Sequence, residues 1–481
     1  MRILAVTGKL AEREVKKYAK NADVYVVDID IAAFITPSHL RKIDLSKYDL
    51  VLVPGLARGD WKGLEKEKGV KIRLGPIHAY DLKAILENID KIDLSHEIPA
   101  CRLLNLVKAE ENMRLVDEVD ESYAFKIGNV RVGGNSRMKI VAEIIDAPQM
   151  KKDKLVEKIE YYIESGADII DLGIPLECDA DEVRRAVKIA VNSCNVPVSI
   201  DTFNRHAIAA GVKAGADMIM SISSSNLDAL DVIGDAAVVV VERDVPKLIK
   251  LLEKVKTKTD KVIADPVLDP PLQVASSIER YMQFRRMDPE TPLLIGVGNV
   301  TELSDADSIG INALLAFISE EIGANLLFTT EASAKTRGSI RELRVASYMA
   351  KAAKLRNSPP KDLGLNLLVI KEKIRYESCG VPNGAVEATA SKEFHRDPKG
   401  DFRIWVEGDK IVCSHEKLVV VGNDAKSIID TVLANDLVSR LDHAAYLGRE
   451  LKKAEIAAML GKNYTQDKDL NFGIYSENKR L

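Results

Sequence analysis

The stretch GADIIDLGIPLECDADEVRRAVKIAVNSCNVPVSIDT, residues 166–202, decides the fold of this chain. It holds two short apolar runs, Ala167–Leu172 and Val196–Ile200, whose Ile, Val and Leu content is typical of strands buried on both faces of a sheet. Between them, Asp181–Ser193 has the apolar spacing of an amphipathic helix. A strand, a helix and a second strand in this order predict a parallel β-α-β unit.

The same alternation of strand and helix recurs from about Met138 to Ala353, with Val156–Ser165 as another of its helices. The predicted strands are Ile140–Ile145, Ala167–Leu172, Val196–Ile200, Asp217–Ile222, Ala236–Val241, Lys261–Ala264, Pro292–Val297 and Asn325–Phe328. Eight such units predict an α/β protein with a central (β/α)8 TIM barrel. In barrels of this kind the active site lies at the carboxyl ends of the strands.

Polar or acidic residues follow almost every predicted strand. They are Asp146, Asp171 with Gly173, Asp201 with Thr202, Ser221 with Ser223, Glu242, Asp265, Gly298 with Asn299, and Thr329 with Glu331. Such residues also cap the helices that follow strands, and capping explains any single position as well as a functional role does. Capping explains the whole set less well, because carboxylates that converge on one barrel mouth repel one another. The sequence therefore predicts a cationic or donor-rich group at this mouth.

Composition places the chain among ordinary globular proteins. Its 481 residues are enough for two to four domains, and 46% of them are hydrophobic. The formal net charge of −4 gives no reason to expect nucleic acid as a partner. No window approaches 18 apolar residues, and the start at Met1–Thr7 has the pattern of a buried strand instead of a signal peptide. We therefore expect a cytoplasmic protein that does not engage a membrane.

The cysteines give no sign of a disulfide framework. They are Cys101, Cys178, Cys194, Cys379 and Cys413. Their number is odd and no C-x-x-C occurs, which favours reduced thiols in a cytosol over disulfides or a zinc site.

Two further regions flank the barrel, which gives predicted domains of residues 1–127, 128–355 and 356–481. The first alternates strands and helices and is predicted to be an open, Rossmann-like α/β domain. It holds neither G-x-G-x-x-G nor a P-loop, so docking or substrate gating is a better interpretation than nucleotide binding. The last region follows the helix-breaking Ser358-Pro-Pro360 and is predicted to be a small α+β domain that begins with a strand at Leu365–Ile370.

Three of the strand ends resemble motifs of one known group of proteins. Residues 166–173 (GADIIDLG), residues 197–202 (PVSIDT) and Asp265-Pro266 resemble the second, third and sixth strand motifs of the pterin-binding domain. Dihydropteroate synthases share that domain with folate- or pterin-dependent methyltransferases. Taken whole, the chain resembles the archaeal dihydropteroate synthase-related proteins. The resemblance implies a pterin site at the mouth of the barrel.

A pterin presents a cyclic guanidine-like edge, in which a 2-amino group lies beside a ring N–H. A carboxylate matches this edge with two parallel hydrogen bonds, as it matches arginine. The resemblance implies that Asp201 and Asp265 bind the edge, because they stand at the positions of the group's two pterin-binding carboxylates. The further pterin-binding candidates are Asp171, Ser221, Ser223 and Gly298.

The chain departs from the family's motifs at three places, the first of which is shared by both branches, while the other two belong to dihydropteroate synthases. The group's Asn after the fourth strand is replaced by Met220, so its contact with the pterin is lost or is taken over by Ser221 or Ser223. The Ser-Arg-Lys motif that synthases carry after the seventh strand is absent. No His lies between His206 and His395 that would supply their Arg-x-His motif.

The methyltransferase branch is more similar at two strand ends. Glu143-Ile-Ile-Asp146 resembles its Glu-Arg-Ile-Asn motif, and Gly298-Asn-Val-Thr301 resembles its Ser-Asn-Val-Ser motif. In that branch the Asn reaches N5 of the tetrahydropterin. The resemblance therefore implies a catalytic role for Asn299, together with Glu143 and Asp146. Capping of the following helix is the alternative role of Asn299.

A basic segment, Lys335-Thr-Arg-Gly-Ser-Ile-Arg341, begins the last helix of the barrel. Lys335, Arg337 and Arg341 are candidates for binding an anion at the mouth and for balancing its carboxylates. A solvated helix start is an equally good interpretation.

These observations favour an enzyme that transfers a one-carbon (methyl) group to or from a reduced pterin of the tetrahydrofolate or tetrahydromethanopterin type. The alternatives are a dihydropteroate synthase-like condensation of a pterin with an arylamine, and a pterin-binding protein without catalysis. The D-x-H-x-x-G motif of base-off cobalamin domains is absent from the chain, so any corrinoid must come from a partner protein. A homodimer is also expected, and no metal site is predicted.

Overall fold

The computed structural model describes residues 1–119, 122–373, 380–391 and 393–476, so Cys379 lies outside the described residues. The chain packs into two compact units, Met1–Lys373 and Ile374–Leu481. The division into three domains with boundaries after residues 127 and 355 stays a prediction. The four cysteines in the described ranges are free thiols. No helix among the described residues is long and apolar enough to cross a membrane.

The first unit begins with a parallel sheet whose strand order is β2-β1-β3-β4. Its strands are β1 (Ile3–Thr7), β2 (Asp23–Val26), β3 (Leu50–Val53) and β4 (Lys71–Leu74). The helices of this region are α1 (Glu12–Tyr18), α2 (Pro37–Leu40), α3 (Trp61–Lys68), α4 (Leu82–Glu87) and α5 (Ala100–Val119). Leu4 and Val6 pack into an apolar cluster on one face of β1, and Ile3 and Ala5 into a cluster on the other. The sheet is therefore covered on both faces, as the open α/β pattern of the sequence predicts.

The barrel that follows is a closed, parallel sheet. Its strands are β7 (Lys139–Ile144), β8 (Ile169–Gly173), β9 (Val198–Asp201), β10 (Met218–Ile222), β11 (Ala237–Val241), β12 (Val262–Asp265), β13 (Leu294–Gly296) and β14 (Leu326–Thr330). Within the described residues the strands pair in the order β12-β11-β10-β9-β8-β7-β14-β13. A parallel bridge between Ala264 and Leu293 joins β12 to β13 and closes the ring. The predicted barrel is confirmed.

Helices surround this sheet. They are α6 (Lys152–Ser165), α7 (Ala180–Ser193), α8 (Arg205–Ala214), α9 (Val245–Lys256), α10 (Val274–Met287), α11 (Gly298–Thr301), α12 (Ser308–Ile322) and α13 (Ser339–Leu355). The apolar side chains on the outer face of the strands pack against these helices in one large core cluster.

The inward-facing side chains change character along the strands. The lower interior holds buried apolar residues: Val141, Ile169, Met218, Met220, Ala237, Val239, Ile263, Leu294 and Leu326. Successive side chains of a strand alternate between its two faces, so the residue two positions later points the same way. That rule places Glu143, Asp171 and Asp265 on the inner face, directly above Val141, Ile169 and Ile263. The barrel thus has an apolar floor and an acidic upper layer.

An antiparallel hairpin lies beneath that floor. Its strands are β5 (Phe125–Ile127) and β6 (Val130–Val132). Ile127 and Val132 are buried in the same cluster as the inward residues of the barrel strands. This hairpin was not identified from the sequence, because strands of three residues are too short to show an alternating pattern. The hairpin closes the lower end of the barrel.

The cap of α7 shows how the quoted stretch begins its helix. The carboxylate of Asp179 accepts hydrogen bonds from the backbone N–H groups of Asp181 (2.8 Å) and Glu182 (2.9 Å). The Glu182 carboxylate accepts one from the N–H of Asp179 (3.1 Å), which completes a capping box.

Replacing Asp179 with Ala should lower the free energy of unfolding by about 1 kcal/mol, because N–H groups at the start of α7 lose their acceptor. Urea denaturation followed by circular dichroism measures the change. The matched Asp179→Asn variant keeps a side-chain oxygen and should stay close to the wild type. A loss of equal size in both variants would contradict the capping role.

The second unit pairs a small antiparallel sheet with two helices. Its elements are β15 (Arg403–Glu407), β16 (Lys410–Ser414), β17 (Val419–Gly422), α14 (Ala425–Ala434) and α15 (Leu441–Leu460). The sheet order is β15-β16-β17. These elements agree with the predicted α+β pattern. The strand predicted at Leu365–Ile370 is wrong: this segment is irregular, and Leu365 and Leu367 pack against apolar clusters of the first unit.

Candidate functional site

Three carboxyl groups meet on neighbouring strands at the top of the barrel. Glu143 on β7 is in register with Asp171 on β8, and Gly173 on β8 is in register with Asp201 on β9. Carboxylate oxygens of Glu143, Asp171 and Asp201 all lie within 4.8 Å of one another. We call these three residues the carboxylate triad. The structure thus brings together three residues that the sequence assigned to separate strand ends.

Asp171 is the deepest member of the triad. Its side chain is fully buried, and neither carboxylate oxygen has a hydrogen-bond partner among the described residues. Ser199, its register partner on β9, is also fully buried, and its Oγ lacks a partner in the same part of the chain. Buried polar groups are normally hydrogen-bonded, so unpaired atoms at such a site are informative.

The electrostatics of the triad favour protonation. Burial raises the pKa of Glu143 to about 7, and the charges of Asp201, Glu302 and Asp146 add to this effect. Burial also raises the pKa of Asp171 well above its usual range, and the carboxylates of Asp201 and Glu143 add to it. Burial raises the pKa of Asp201 as well, against a hydrogen bond from Ser221 that lowers it. Full ionisation of the triad therefore destabilises the folded protein, because the three carboxylates are buried and repel one another.

Replacing Glu143 with Gln should raise the free energy of unfolding at pH 8 by about 1–3 kcal/mol. The buffer contains a chelator, so that no metal ion neutralises the carboxylates. The folded protein holds the Glu143 proton up to about pH 7, whereas the unfolded chain releases it near the ordinary pKa of 4.5. The wild type consequently loses stability as the pH rises between these values, and the Gln variant does not.

Urea denaturation of the wild type and Glu143→Gln at pH 4.5, 6 and 8 measures this difference. It should grow with pH and be small at pH 4.5. A stability difference that is independent of pH would contradict the raised pKa of Glu143.

Asp265 lies on the inner face of β12, apart from the triad. Its Oδ1 accepts hydrogen bonds from the Tyr281 hydroxyl (2.7 Å) and the backbone N–H of Val267 (2.8 Å). No hydrogen bond to its Oδ2 occurs within the described ranges. Burial raises the pKa of Asp265 to about 6, although the Tyr281 and Val267 hydrogen bonds oppose the rise. One oxygen of this carboxylate is thus fixed and the other is left for a ligand.

The end of β10 has a distorted backbone. Ser221 has a φ of 67°, in the left-handed region, and the pairing of β10 with β11 shifts register between Ile219 and Ile222. The buried Asn226 holds this turn: its Nδ2 donates to the carbonyl of Ser221 (3.3 Å), and its Oδ1 accepts from the N–H of Ser223 (2.8 Å). A non-glycine residue held in this conformation marks a position where local strain is maintained by the surrounding contacts.

Asn299 stands on α11, above Gly296 at the end of β13. Its Nδ2 donates a hydrogen bond to the carbonyl of Leu268 (2.7 Å) in the loop after β12. Because a carbonyl can only accept, this bond fixes which way the amide points and leaves Oδ1 available. Gly298 beside it is buried, and a Cβ there would approach the backbone of Thr329 and Thr330. Asn299 is the second residue of α11, whose N-cap position is held by Val297, and no side chain caps this helix.

Other candidates at the strand ends take structural or peripheral positions. Asp146 is exposed, with a φ of 52°, although its charge still acts on Glu143. Glu331 is buried and accepts hydrogen bonds from the Tyr161 hydroxyl (2.8 Å) and the backbone N–H of Ile340 (3.1 Å). Glu242 accepts from the N–H of Asp244 (3.0 Å). Glu331 and Glu242 therefore have a structural role, since each anchors a loop or the start of a helix.

The three basic candidates are exposed. Lys335 forms an ion pair with Asp305 (2.9 Å), and its charge lowers the pKa of Glu302, which burial raises. Arg337 acts electrostatically on Tyr161. Arg341 lies on the exposed face of α13. Through Glu302, Lys335 is thus linked to the surroundings of Glu143.

Sequence reasoning missed Ser199, Asn226 and Tyr281. Tyr281 lies on α10, well after the strand end that it supports, and its apolar spacing gave no sign of a buried hydroxyl. Asn226 follows a run of serines in a loop, where Asn is an ordinary turn residue. Ser199 was inside a recognised motif, and its place two residues before Asp201 on an alternating strand was the signal that could have found it.

Family models match three parts of the chain. A model described as "Pterin binding enzyme" matches residues 143–244, and one described as PterinBD-DUF4346 matches residues 396–467. A family of unknown function (DUF6513) matches residues 1–77. The pterin-binding match contains the whole triad.

Similar proteins were found in sequence and in structure. Uncharacterized protein MJ0107 of Methanocaldococcus jannaschii is 41% identical over 522 residues, which cover 98% of this chain and 99% of that protein. A Yersinia pestis dihydropteroate synthase with a pterine-sulfa conjugate is 16% identical, covers 48% of this chain and 99% of its own, and has a TM-score of 0.41. The 7,8-dihydropteroate synthase of Vibrio fischeri ES114 is 17% identical. The match covers 47% of this chain and 96% of the synthase chain, with a TM-score of 0.39.

Proposed function

The chain belongs to a family of archaeal dihydropteroate synthase-related, pterin-binding proteins, and on this basis we propose that it transfers a methyl group to or from a reduced pterin. The observation that carries the proposal is the pair of inward carboxylates, Asp201 on β9 and Asp265 on β12, with Asn299 on α11 bonded to the loop after β12. The pterin would be of the tetrahydrofolate or tetrahydromethanopterin type.

Asp265 suits the guanidine-like edge of a pterin. Tyr281 and Val267 hold Oδ1, so the carboxylate plane is fixed before a ligand arrives. The 2-amino group and the ring N–H of the pterin would donate to this carboxylate, in the way that a guanidinium group does. Asp201 would accept from the same ring system on the other side of the mouth, and its charge already acts on Asp265. Ser221, Ser223, Gly298 and Asp171 are the further candidates for lining this site.

Asn299 would act at N5 of the pterin. When a nucleophile takes the methyl group from N5, the electron pair of the N5–CH3 bond stays on N5, so N5 must be protonated in order to leave as a neutral amine. The amide Oδ1 of Asn299 is left available by the bond from Nδ2 to Leu268, so it can accept a hydrogen bond from a protonated N5. Glu143, whose pKa burial raises to about 7, is the second candidate catalytic group beside Asn299. Asp146 would contribute through its charge on Glu143.

A condensing synthase, which joins a pterin to an arylamine, needs fixed cations for a leaving diphosphate. Lys335 is the candidate with a link to the site, and it is already paired with Asp305. Arg337 and Arg341 are exposed. These positions support the synthase less well than the methyltransferase, and they make the synthase the second candidate function.

Two parallel assays test the proposal. The first offers the purified protein hydroxymethyl-dihydropterin diphosphate and 4-aminobenzoate. The second offers a methyl-tetrahydropterin and cob(I)alamin, free or on a corrinoid protein, and follows the cobalamin spectrum. Turnover in the second mixture alone is expected. Turnover in the first mixture alone, with activity that is lost in the Lys335→Ala variant, would favour the synthase. Pterin binding without turnover in either mixture would favour a non-catalytic protein.

A further inference from the structure

The carboxylate triad has no ion-pair partner among the residues that the structure describes. Its three carboxyl groups lie within 4.8 Å of one another on adjacent strands. In the described part of the chain, no Lys, Arg or His side chain forms an ion pair with Glu143, Asp171 or Asp201, and the charged neighbours that act on Glu143 and Asp171 are all acidic. Three carboxylates at this separation are stable together only if a cation or protons neutralise them.

A second observation points to a bound ligand. Asp171 is 0% exposed, and both of its carboxylate oxygens lack a hydrogen-bond partner in the described residues. The hydroxyl of Ser199, also 0% exposed, lies across β8 and β9 from Asp171, and its interaction with that carboxyl group lowers the pKa of Asp171. Both residues face the barrel interior at the level of the triad. A fully buried carboxylate that has only one neighbouring hydroxyl beside it keeps empty acceptor positions, and these are suited to a ligand that binds oxygen atoms.

We propose that Glu143, Asp171 and Asp201 bind one hard divalent cation, of the class of Mg²⁺, Mn²⁺ or Ca²⁺, with Ser199 as a further oxygen beside it. Such cations prefer carboxylate and hydroxyl oxygens, and they take about six to eight ligands at about 2.0–2.6 Å. Oxygens within 4.8 Å of one another can surround one ion at such distances with small side-chain movements. The carboxylates come from β7, β8 and β9 alone, so the open side of the ion would face the mouth.

This proposal does not rest on the proposed methyl transfer. Asp201 belongs to both sites, but Asp265 belongs to the pterin site alone, because it lies on β12 and is not part of the triad. Asp265→Asn should therefore weaken pterin binding and leave the cation affinity within about threefold. The two proposals can fail separately.

The experiment is a Mn²⁺ titration of the full-length protein after dialysis against a chelator and its removal. Free Mn²⁺ is followed by electron paramagnetic resonance, and Mg²⁺ and Ca²⁺ are tested as competitors. One Mn²⁺ per chain is expected. Asp171→Asn keeps the size of the side chain and should weaken Mn²⁺ binding at least tenfold. The matched control Glu242→Gln changes an acid of the neighbouring rim and should stay within twofold of the wild type.

Circular dichroism checks the fold of each variant. If Asp171→Asn does not fold, Glu143→Gln replaces it, with the same tenfold weakening expected. The proposal is overturned if the wild type shows no saturable one-to-one site between pH 6 and pH 8.5, because protons alone then neutralise the triad. It is also overturned if a folded triad variant binds Mn²⁺ as tightly as the wild type does.

Discussion

Replacing Asp265 with Ala should weaken the binding of a reduced pterin by about 2–5 kcal/mol, a rise in Kd of about 30-fold to several thousand-fold. The physical reason is that the donor groups of the pterin edge would be buried without an acceptor, while the Tyr281 hydroxyl would also lose its partner. Replacing Asp201 with Ala should have an effect of similar size. Isothermal titration calorimetry with a methyl-tetrahydropterin measures both.

Two controls separate a lost hydrogen bond from a general change at the mouth. Asp265→Asn keeps the shape and one acceptor, and it should lose most of the affinity but fold like the wild type. Glu242→Gln makes the same chemical change at a carboxylate that anchors Asp244, so its Kd should stay within about twofold of the wild type. Unchanged affinity in both the Asp201 and Asp265 variants would refute the pterin site.

Pterin affinity should also depend on pH. The ionised Asp265 carboxylate is the form that accepts two hydrogen bonds, and burial raises its pKa to about 6. The Kd of the wild type should therefore rise about tenfold for each pH unit below about 6, and it should level off above that pH. Titrations at pH 5, 6, 7 and 8 measure the profile, and Asp265→Asn should lose this dependence. A flat profile in the wild type would show that Asp265 does not carry the binding.

Replacing Asn299 with Ala should lower the rate of methyl transfer by about 100- to 1000-fold and change the Kd for the pterin by less than about threefold. The amide oxygen would accept a hydrogen bond from the N5–H group as N5 takes up its proton and loses the methyl group, and an interaction of that kind affects the chemical step more than ground-state binding. Single-turnover kinetics, followed by stopped-flow absorbance of the cobalamin, measure the rate.

Ser304→Ala is the matched control for this variant. The Ser304 hydroxyl donates to the carbonyl of Val300 (2.8 Å), an intrahelical type of bond that involves no residue of the proposed site, so its loss should leave the rate unchanged within about twofold. If Asn299→Ala raises the Kd by the same factor as it lowers the rate, Asn299 contributes to pterin binding in general and has no special role in the transfer step.

The barrel was predictable because its strands are continuous apolar runs. Each predicted strand, from Ile140–Ile145 to Asn325–Phe328, agrees with the structure to within two residues at either end. Helix starts were less exact, since α6 begins at Lys152, before the apolar pattern of Val156–Ser165 sets in. The acidic residues at the strand ends were also identified, because their positions follow directly from the strands.

The spacing of these residues and their contacts with distant elements could not be predicted. The register between β7, β8 and β9 sets the spacing of the triad, and register is a property of the whole sheet. Tyr281 reaches Asp265 from a later helix, and the apolar periodicity of a helix does not report a hydroxyl. The segment Leu365–Ile370 has a strand-like composition, but it is irregular and belongs to none of the sheets in the described residues.

The β5–β6 hairpin beneath the barrel has a kinetic consequence. Ile127 and Val132 fill the lower end, so we expect a ligand on the apolar floor to arrive and depart through the acidic mouth. A second reactant that approaches N5 from above would occupy the same passage. The pterin should therefore bind first and leave last. While the methyl acceptor is bound, the pterin should be unable to dissociate. Steady-state patterns should be those of a compulsory-order mechanism, with the acceptor slowing the dissociation of labelled pterin.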